Sequence, residues 1–190
     1  MALLHFVDFG EHRALPPLAE CVIGEHVSTS KPKRVTLWTS HPEWPARVPT
    51  SLVDSGIAVE RIDLSTFAQT PLFSWYNASM HNGFMHNCYA NFLMGDALKL
   101  AVLYKQGGIY LDSDVLPLAP PPLGLAAPVR AVTLQSAHDP RDVNNAILFF
   151  PQRDPCLHAL STSRRGSNLM TSHTLCSLLL VVTTSMLCSD

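Results

Sequence analysis

The sequence reads as a single α/β domain, on three observations. Short apolar runs rich in β-branched and aromatic residues recur along it (Leu3–Phe9, Val35–Thr39, Ala58–Leu64), separated by helical or irregular connections. That is the strand, helix, strand, connection, strand opening of an α/β chain. The clearest helical periodicity runs straight into Gly107-Gly108 and a further apolar run, Ile109-Tyr110-Leu111. Finally, 190 residues with 47% hydrophobic content suffice for one domain with a real core and hardly for two.

Taken in order, Leu3–Phe9 suits a first core strand. Ala14–Ile23 is weakly helical, with Pro16 and Pro17 near its start, where a missing N–H costs nothing. Lys31–Arg34 is a small basic cluster, expected as a solvated turn before the second strand, Val35–Thr39. His41–Pro49 carries three prolines and is expected as a loop. Ala58–Leu64 alternates Val59, Ile62 and Leu64 against Glu60, Arg61 and Asp63, which predicts a third strand leading into Ser65. The aromatic-rich segment Thr70–Tyr76 fits neither the strand nor the helix period.

From Cys88 to Lys105, Leu93, Ala97, Leu100, Ala101 and Tyr104 recur at spacings of three and four, and Gly107 supplies the stop. Asp96 and Lys99 lie three apart on the other side of that helix, where an ion pair is the plain expectation. Pro117–Pro128 is proline-rich and irregular, and Arg130–Gln135 is a strand candidate. Asp142–Asn145 introduces the apolar run Ala146–Phe150, ended by Pro151. Asn144 and Asn145 there are either a turn or a set of ligand amides. Pro155–Leu160 starts a helix. Ser161–Ser172 is polar and turn-like, while Leu175–Leu187 is apolar, too short to span a bilayer and undecided between core helix and strand.

Composition excludes several classes. A net charge of −2, with no basic run, does not imply a nucleic-acid partner. No continuous apolar stretch of about 18 residues is present, so no membrane span is expected. Met1–Gly10 contains Asp8 and no basic segment, unlike a signal peptide. None of the five cysteines forms a Cys-x-x-Cys pair, which argues against zinc and leaves disulfides and free thiols open. His81 and His86, five apart, do not share a helix face. Asn77-Ala78-Ser79 is a glycosylation sequon, relevant in a secretory compartment.

Asp112 and Asp114, at the end of the Ile109–Leu111 run, are the tightly spaced acidic pair. As strand residues two apart they would face the same side, with Cα atoms about 6.5 Å apart. Two such charges repel unless a cation lies beside them. A hard divalent ion, Mn²⁺ or Mg²⁺, completed by phosphate oxygens and water, meets that need, and a solvated chance turn is the bland alternative.

Three segments together resemble one family: Thr70-Pro71-Leu72 with Trp75-Tyr76, then Gly95-Asp96-Ala97-Leu98-Lys99, then Leu103 through Gly107-Gly108 to Asp112-Ser113-Asp114-Val115. They are similar to the glycosyltransferases whose sugar-binding region contains the Asp-x-Asp motif, a group that includes α-1,4-galactosyltransferases and α-1,4-N-acetylglucosaminyltransferases. Val143-Asn144-Asn145-Ala146 through Phe150 resembles that family's later Asn-x-Ala element. The resemblance runs from about Ala58 to Leu160.

It implies a GT-A type nucleotide-sugar-binding domain, a single Rossmann-like sheet flanked by helices, with the donor at the carboxyl ends of the strands. It implies a metal-dependent transfer of galactose or N-acetylglucosamine from a UDP-sugar to a hydroxyl of a glycan or glycolipid, with retention, in the Golgi lumen. By the same resemblance Asp114 would ligate Mn²⁺ (or Mg²⁺) directly, and Asp112 would reach the ribose, or the metal through water. Asp96 and Lys99 would lie at the nucleotide or sugar, Gly107 and Gly108 would let the backbone approach closely, and Asn144 would lie near the donor sugar or acceptor. No nucleophile or general base is nominated.

Departures from the family are plain. Gly95-Asp96 with Lys99 stands where Ser-Asp with an arginine is usual, and no Gly-Pro follows Leu160. The expectation is therefore a domain over residues 1–160 and a divergent tail over 161–190, a carboxyl-terminally truncated form. An inactive or binding-only remnant is the alternative function. An aspartate-nucleophile phosphatase also carries Asp-x-Asp after a strand, but Leu116 stands where that pattern wants threonine or valine.

Overall fold

The computed structural model describes residues 3–8, 15–30, 34–40, 43, 48–81, 90–116, 134–135, 143–144 and 146–162. Strand β1 (Leu3–Asp8) is followed by helix α1 (Pro17–Ser30), β2 (Arg34–Thr39), a short α2 (Thr50–Asp54) and β3 (Ala58–Arg61). Two helices, α3 (Leu64–Phe67) and α4 (Phe73–His81), precede the long α5 (Ala90–Gln106) and β4 (Gly108–Leu111). Then come β5 (Leu134–Gln135), β6 (Val143–Asn144), β7 (Ile147–Phe150) and α6 (Pro155–Thr162).

Five strands make one sheet in the order β3-β2-β1-β4-β7. The first four are parallel and β7 runs antiparallel to β4. Side chains alternate across the strands, so one face buries Leu4, Phe6, Val35, Leu37, Ile109 and Leu111 with Ala19, Val22, Ile23 and Leu52 of α1 and α2. The other face buries Trp38, Tyr110, Leu148 and Phe150 with Phe67, Ala97, Leu98, Ala101 and Leu157 of α3, α5 and α6, and with Leu72 just before α4. Helices on both faces are what a parallel sheet requires, since neither face can be left to water. β5 and β6 form a separate antiparallel pair.

Several sequence expectations change. Thr70–Tyr76 is not irregular throughout: Phe73 opens α4, and Leu72 and Tyr76, four apart, are both buried. Tyr76 stacks on Phe67 with ring centroids 4.0 Å apart, so tertiary contact secures a helix whose aromatic residues have modest intrinsic propensity. The third strand stops at Arg61, because Asp63 caps α3. Its carboxylate accepts from the Ser65 and Thr66 amides (2.7 and 3.2 Å) while Thr66 Oγ1 accepts from the Asp63 amide (3.1 Å), a reciprocal capping box. Helix α1 runs on to Ser30, past the expected Ile23.

Of the expected strand Arg130–Gln135 only Leu134–Gln135 is described. Lys31–Lys33, His86, Cys88, Pro117–Pro128, Asn145 and residues 163–190 lie outside the described residues. Among the described cysteines, Cys21 is exposed and Cys156 is buried. No helix among the described residues is long and apolar enough to cross a membrane.

Candidate functional site

The strand order itself points to a place. From β1 the chain steps outward to β2 and β3, and α5 then carries it back to lay β4 on the opposite flank of β1. At such a switch point the connections leave in opposite directions and open a crevice at the carboxyl ends of the strands. A hollow of about 350 Å³ lies there. Val7 near the end of β1, Pro16, Leu18 and Ala19 at the head of α1, and Asp112-Ser113-Asp114 after β4 line it. A larger groove between α1 and α2, lined by Glu20, Cys21, Ser51 and Ser55 among others, contains neither of the paired aspartates.

The acidic pair is built differently from the strand expectation. β4 ends at Leu111, and residues 112–115 form a turn closed by the Val115 amide donating to the Asp112 carbonyl (3.1 Å). The Asp112 amide is tied in turn to the Ala146 carbonyl (2.8 Å). The two carboxylates are therefore not alternate positions of one strand but the first and third residues of a turn that borders the hollow.

Asp112 still follows the strand alternation. It shares a face with Tyr110, whose hydroxyl donates to Asp112 Oδ1 at 2.6 Å. Lys99 Nζ, projecting from α5, reaches the same oxygen at 3.0 Å and Asp96 Oδ1 at 3.3 Å, and lies 4.9 Å from the centre of the Tyr110 ring. Lys99 is only 8% exposed, and an ammonium this buried needs counter-charge, which the two carboxylates supply. Burial, then the neighbouring Asp112 charge, pushes the Tyr110 hydroxyl well above its usual range, so it remains a donor. Asp114, two residues further along the turn, is exposed.

The donor set bears on which ion the turn could hold. Asp112 and Asp114 offer hard oxygen ligands. Among the described residues no three His, Cys, Asp or Glu side chains are grouped so as to cage an ion. Two carboxylates without a cage suit a hard divalent cation that takes its remaining ligands from phosphate and water.

Comparison with known proteins decides the family. Residues 17–131, more than half of the chain, match the glycosyltransferase sugar-binding region containing DXD motif. The chain belongs to that family. It is 45% identical over 56 residues to the human alpha-1,4-N-acetylglucosaminyltransferase, a segment covering 28% of this chain and 15% of that protein. Against the rat lactosylceramide 4-alpha-galactosyltransferase it is 35% identical over 78 residues, or 40% of this chain and 21% of the relative. The mouse protein of the same name is 31% identical over 104 residues, covering 53% and 26%. The matches thus span about a quarter or less of these relatives' lengths. The solved structure of PaToxG glycosyltransferase superposes with a TM-score of 0.65 over 97% of this chain and 69% of that chain, at 15% identity, and shares the fold.

Within this member of the family, the expected residues divide into two places. Asp96, Lys99 and Asp112 meet in one ion-paired cluster, with Asp114 close by on the same turn. Gly107 and Gly108 sit at the opposite end of β4, and the close approach they permit is to the chain's own backbone. Gly107 (φ 65°) closes α5, and a Cβ there would lie 2.6 Å from the Gln152 nitrogen. At Gly108 (φ 109°) a Cβ would lie 2.6 Å from the Leu3 carbonyl oxygen. The Gly107 carbonyl accepts from Nε2–H of buried His5 (3.0 Å), whose Nδ1 accepts from the Trp38 indole N–H (3.4 Å). Burial lowers the His5 pKa to about 4, so this ring is a neutral clasp between β1, β2 and the start of β4.

Asn144 lies on β6 opposite Leu134, with its side chain outside what is described, and Asn77 is exposed on α4. Two contributors escaped the sequence reading. Tyr110 stands two residues before Asp112, the spacing that puts both on one face of a strand. His26 continues the apolar stripe of Val22 and Ile23 on α1, and its ring donates to the backbone just after Asp114.

Proposed function

We propose that this chain transfers a hexose, galactose or N-acetylglucosamine, from a UDP-sugar to a hydroxyl of a glycan or glycolipid with retention, using Mn²⁺ or Mg²⁺ held at Asp112 and Asp114. The observation that carries the reading is the acidic turn at the switch point, beside a hollow and braced by Lys99 and Tyr110. The relatives' names support the two donor sugars and, for one, lactosylceramide as acceptor. When bound, a divalent cation would screen the donor's two phosphates and stabilise departing UDP.

The chain's own residues prepare that site. Three carboxylates (Asp96, Asp112, Asp114) and one ammonium (Lys99) leave a net charge of −2, which a divalent cation balances. Lys99 and Tyr110 both bind Asp112 Oδ1, which fixes the carboxylate before any ligand arrives and spares reorganisation later. Asp96 pairs with Lys99 on the same helix, and the family resemblance assigns it to the nucleotide or sugar. Val7, Pro16 and Leu18 give one side of the hollow an apolar lining. The donor-binding unit is taken as residues 1–160 with a divergent tail beyond, and the family resemblance supports a Golgi-lumen setting.

UDP with Mn²⁺ should raise the melting temperature, and UDP should be released from UDP-galactose or UDP-N-acetylglucosamine when lactosylceramide or an oligosaccharide acceptor is present. Asp114→Ala should remove the metal-dependent part of the shift. A wild-type chain indifferent to UDP and Mn²⁺ overturns the reading. A shift without turnover favours a binding-only member of the family.

A further inference from the structure

The acidic turn is held from three directions, and one of them has no part in the cluster described above. Its entry is tied to the residue before β7 through the Asp112 amide and the Ala146 carbonyl, and its carboxylate to α5 through Lys99. Its exit is tied to α1: His26 Nε2 lies 3.0 Å from the Val115 carbonyl oxygen, across 89 residues of sequence. A carbonyl can only accept, so Nε2 carries the hydrogen. The ring is 2% exposed, packed 5.7 Å from Phe6, and its other nitrogen, Nδ1, has no hydrogen-bond partner among the described residues. Burial holds the ring below the usual histidine range, hence neutral.

A buried imidazole with one nitrogen unsatisfied is a costly way to fill space that a leucine would fill without penalty. What the ring adds over an apolar side chain is the Nε2–H donor, and that donor grips the residue immediately after Asp114. It also comes from the helix whose head, Pro16 to Ala19, forms the opposite wall of the hollow.

We infer that His26 is a positioning residue: by donating to the Val115 carbonyl it sets where Asp114 stands relative to the head of α1, and so how well the hollow takes a cation-bound nucleoside diphosphate. This rests on the nucleotide-sugar reading for the ligand, but not for the geometry. His26 touches no reacting group and acts only through the turn.

The test uses the full chain as wild type, His26→Gln and His26→Leu. Glutamine keeps an N–H near the Nε2 position, and leucine keeps apolar volume but no donor. In His26→Leu, amide exchange over residues 113–116 should quicken at least about tenfold while β1 and β4 stay protected, and His26→Gln should behave as wild type. UDP binding in the presence of Mn²⁺ should weaken about tenfold in His26→Leu and return to within about twofold in His26→Gln, the ratio expected for losing and restoring one positioning hydrogen bond. The ligand-free melting temperature of His26→Leu should not fall in step.

Unchanged exchange in the turn overturns the clamp, whatever binds. Faster exchange with unchanged UDP affinity overturns the positioning role. A wild type that does not bind UDP removes the nucleotide reading instead, and the exchange data still decide whether His26 holds the turn. Should His26→Leu not fold, the wild-type ring decides: Nε2 protonated and Nδ1 bare in its nitrogen spectrum is expected, and the opposite tautomer refutes the inference.

Discussion

Lys99→Met is the substitution that most directly tests how the acidic cluster is held. The ammonium lies 3.0 Å from Asp112 and 3.3 Å from Asp96. At an effective dielectric of about 20 each contact is worth roughly 5 kcal/mol of gross attraction, most of which the desolvation of a buried lysine cancels. Removing the lysine does not simply return that balance to zero, because it strands two carboxylates whose side chains are only 17% and 29% exposed. Stranding a fully buried charge costs about 3–5 kcal/mol, and the residual water access here brings the expected loss to about 2–3 kcal/mol. For a chain of this size that is roughly 5–10 °C in melting temperature.

Urea denaturation at neutral pH of wild type, Lys99→Met, Asp112→Asn and the double variant measures it. Asp112→Asn should cost less in the Lys99→Met background, with a coupling of about 1–2 kcal/mol. The loss should persist at about 0.5 M salt, since buried pairs are weakly screened. A loss under about 0.5 kcal/mol, or a cycle that closes with no coupling, refutes this account of the cluster.

Two further predictions concern the other end of β4. Gly108→Ala combines a positive φ with a Cβ 2.6 Å from the Leu3 carbonyl oxygen, so it should destabilise by about 2 kcal/mol or more in the same assay, and an unchanged midpoint would refute the packing described. His5 gives a pH dependence whose sign is fixed. Its pKa falls from 6.5 to about 4 on folding, so between those values the unfolded chain binds more protons, and stability is lost as pH drops below about 6.5. The gap corresponds to roughly 3 kcal/mol by pH 4, and His5→Gln, which can still donate and accept, should flatten that part of the curve.

Much of this was legible before any coordinates. The apolar runs of β1, β2 and β4 and the period of α5 with its glycine stop follow from local rules that the structure obeys, whereas the acidic pair after β4 sits on a turn instead of continuing the strand. What escaped was set by contacts distant in sequence. Trp75 and Tyr76 look like nothing regular until Phe67 and the core of α5 are placed against them. Asp63 reads as the end of an alternating strand, and only its reciprocal bonds with Thr66 show it as a cap. The glycines announce a need for empty space but not what fills it, and the answer, Leu3 and Gln152, is the chain itself rather than a ligand. Lys99 and Asp96 could be paired from their spacing alone, whereas the second partner, Asp112, required the sheet to bring β4 under α5.

The two ends of β4 explain each other. At its start, glycines jammed against β1 and the turn after β7, with His5 clasping the Gly107 carbonyl, leave the strand no freedom to slide. At its finish the chain is bonded to Ala146, just before β7, by the Asp112 amide, to α5 by the Asp112 carboxylate, and to α1 by the Val115 carbonyl. A four-residue strand held in this way cannot move its terminal turn without disturbing both layers of helices. Like charges at Asp112 and Asp114 would by themselves drive the turn open, so that bracing is what keeps them at the mouth of one hollow. It follows that a variant which loosens any of the three ties should lose ligand affinity before it loses the fold, because the ties bear on the turn while the core of Leu4, Phe6, Tyr110 and Leu148 stays intact.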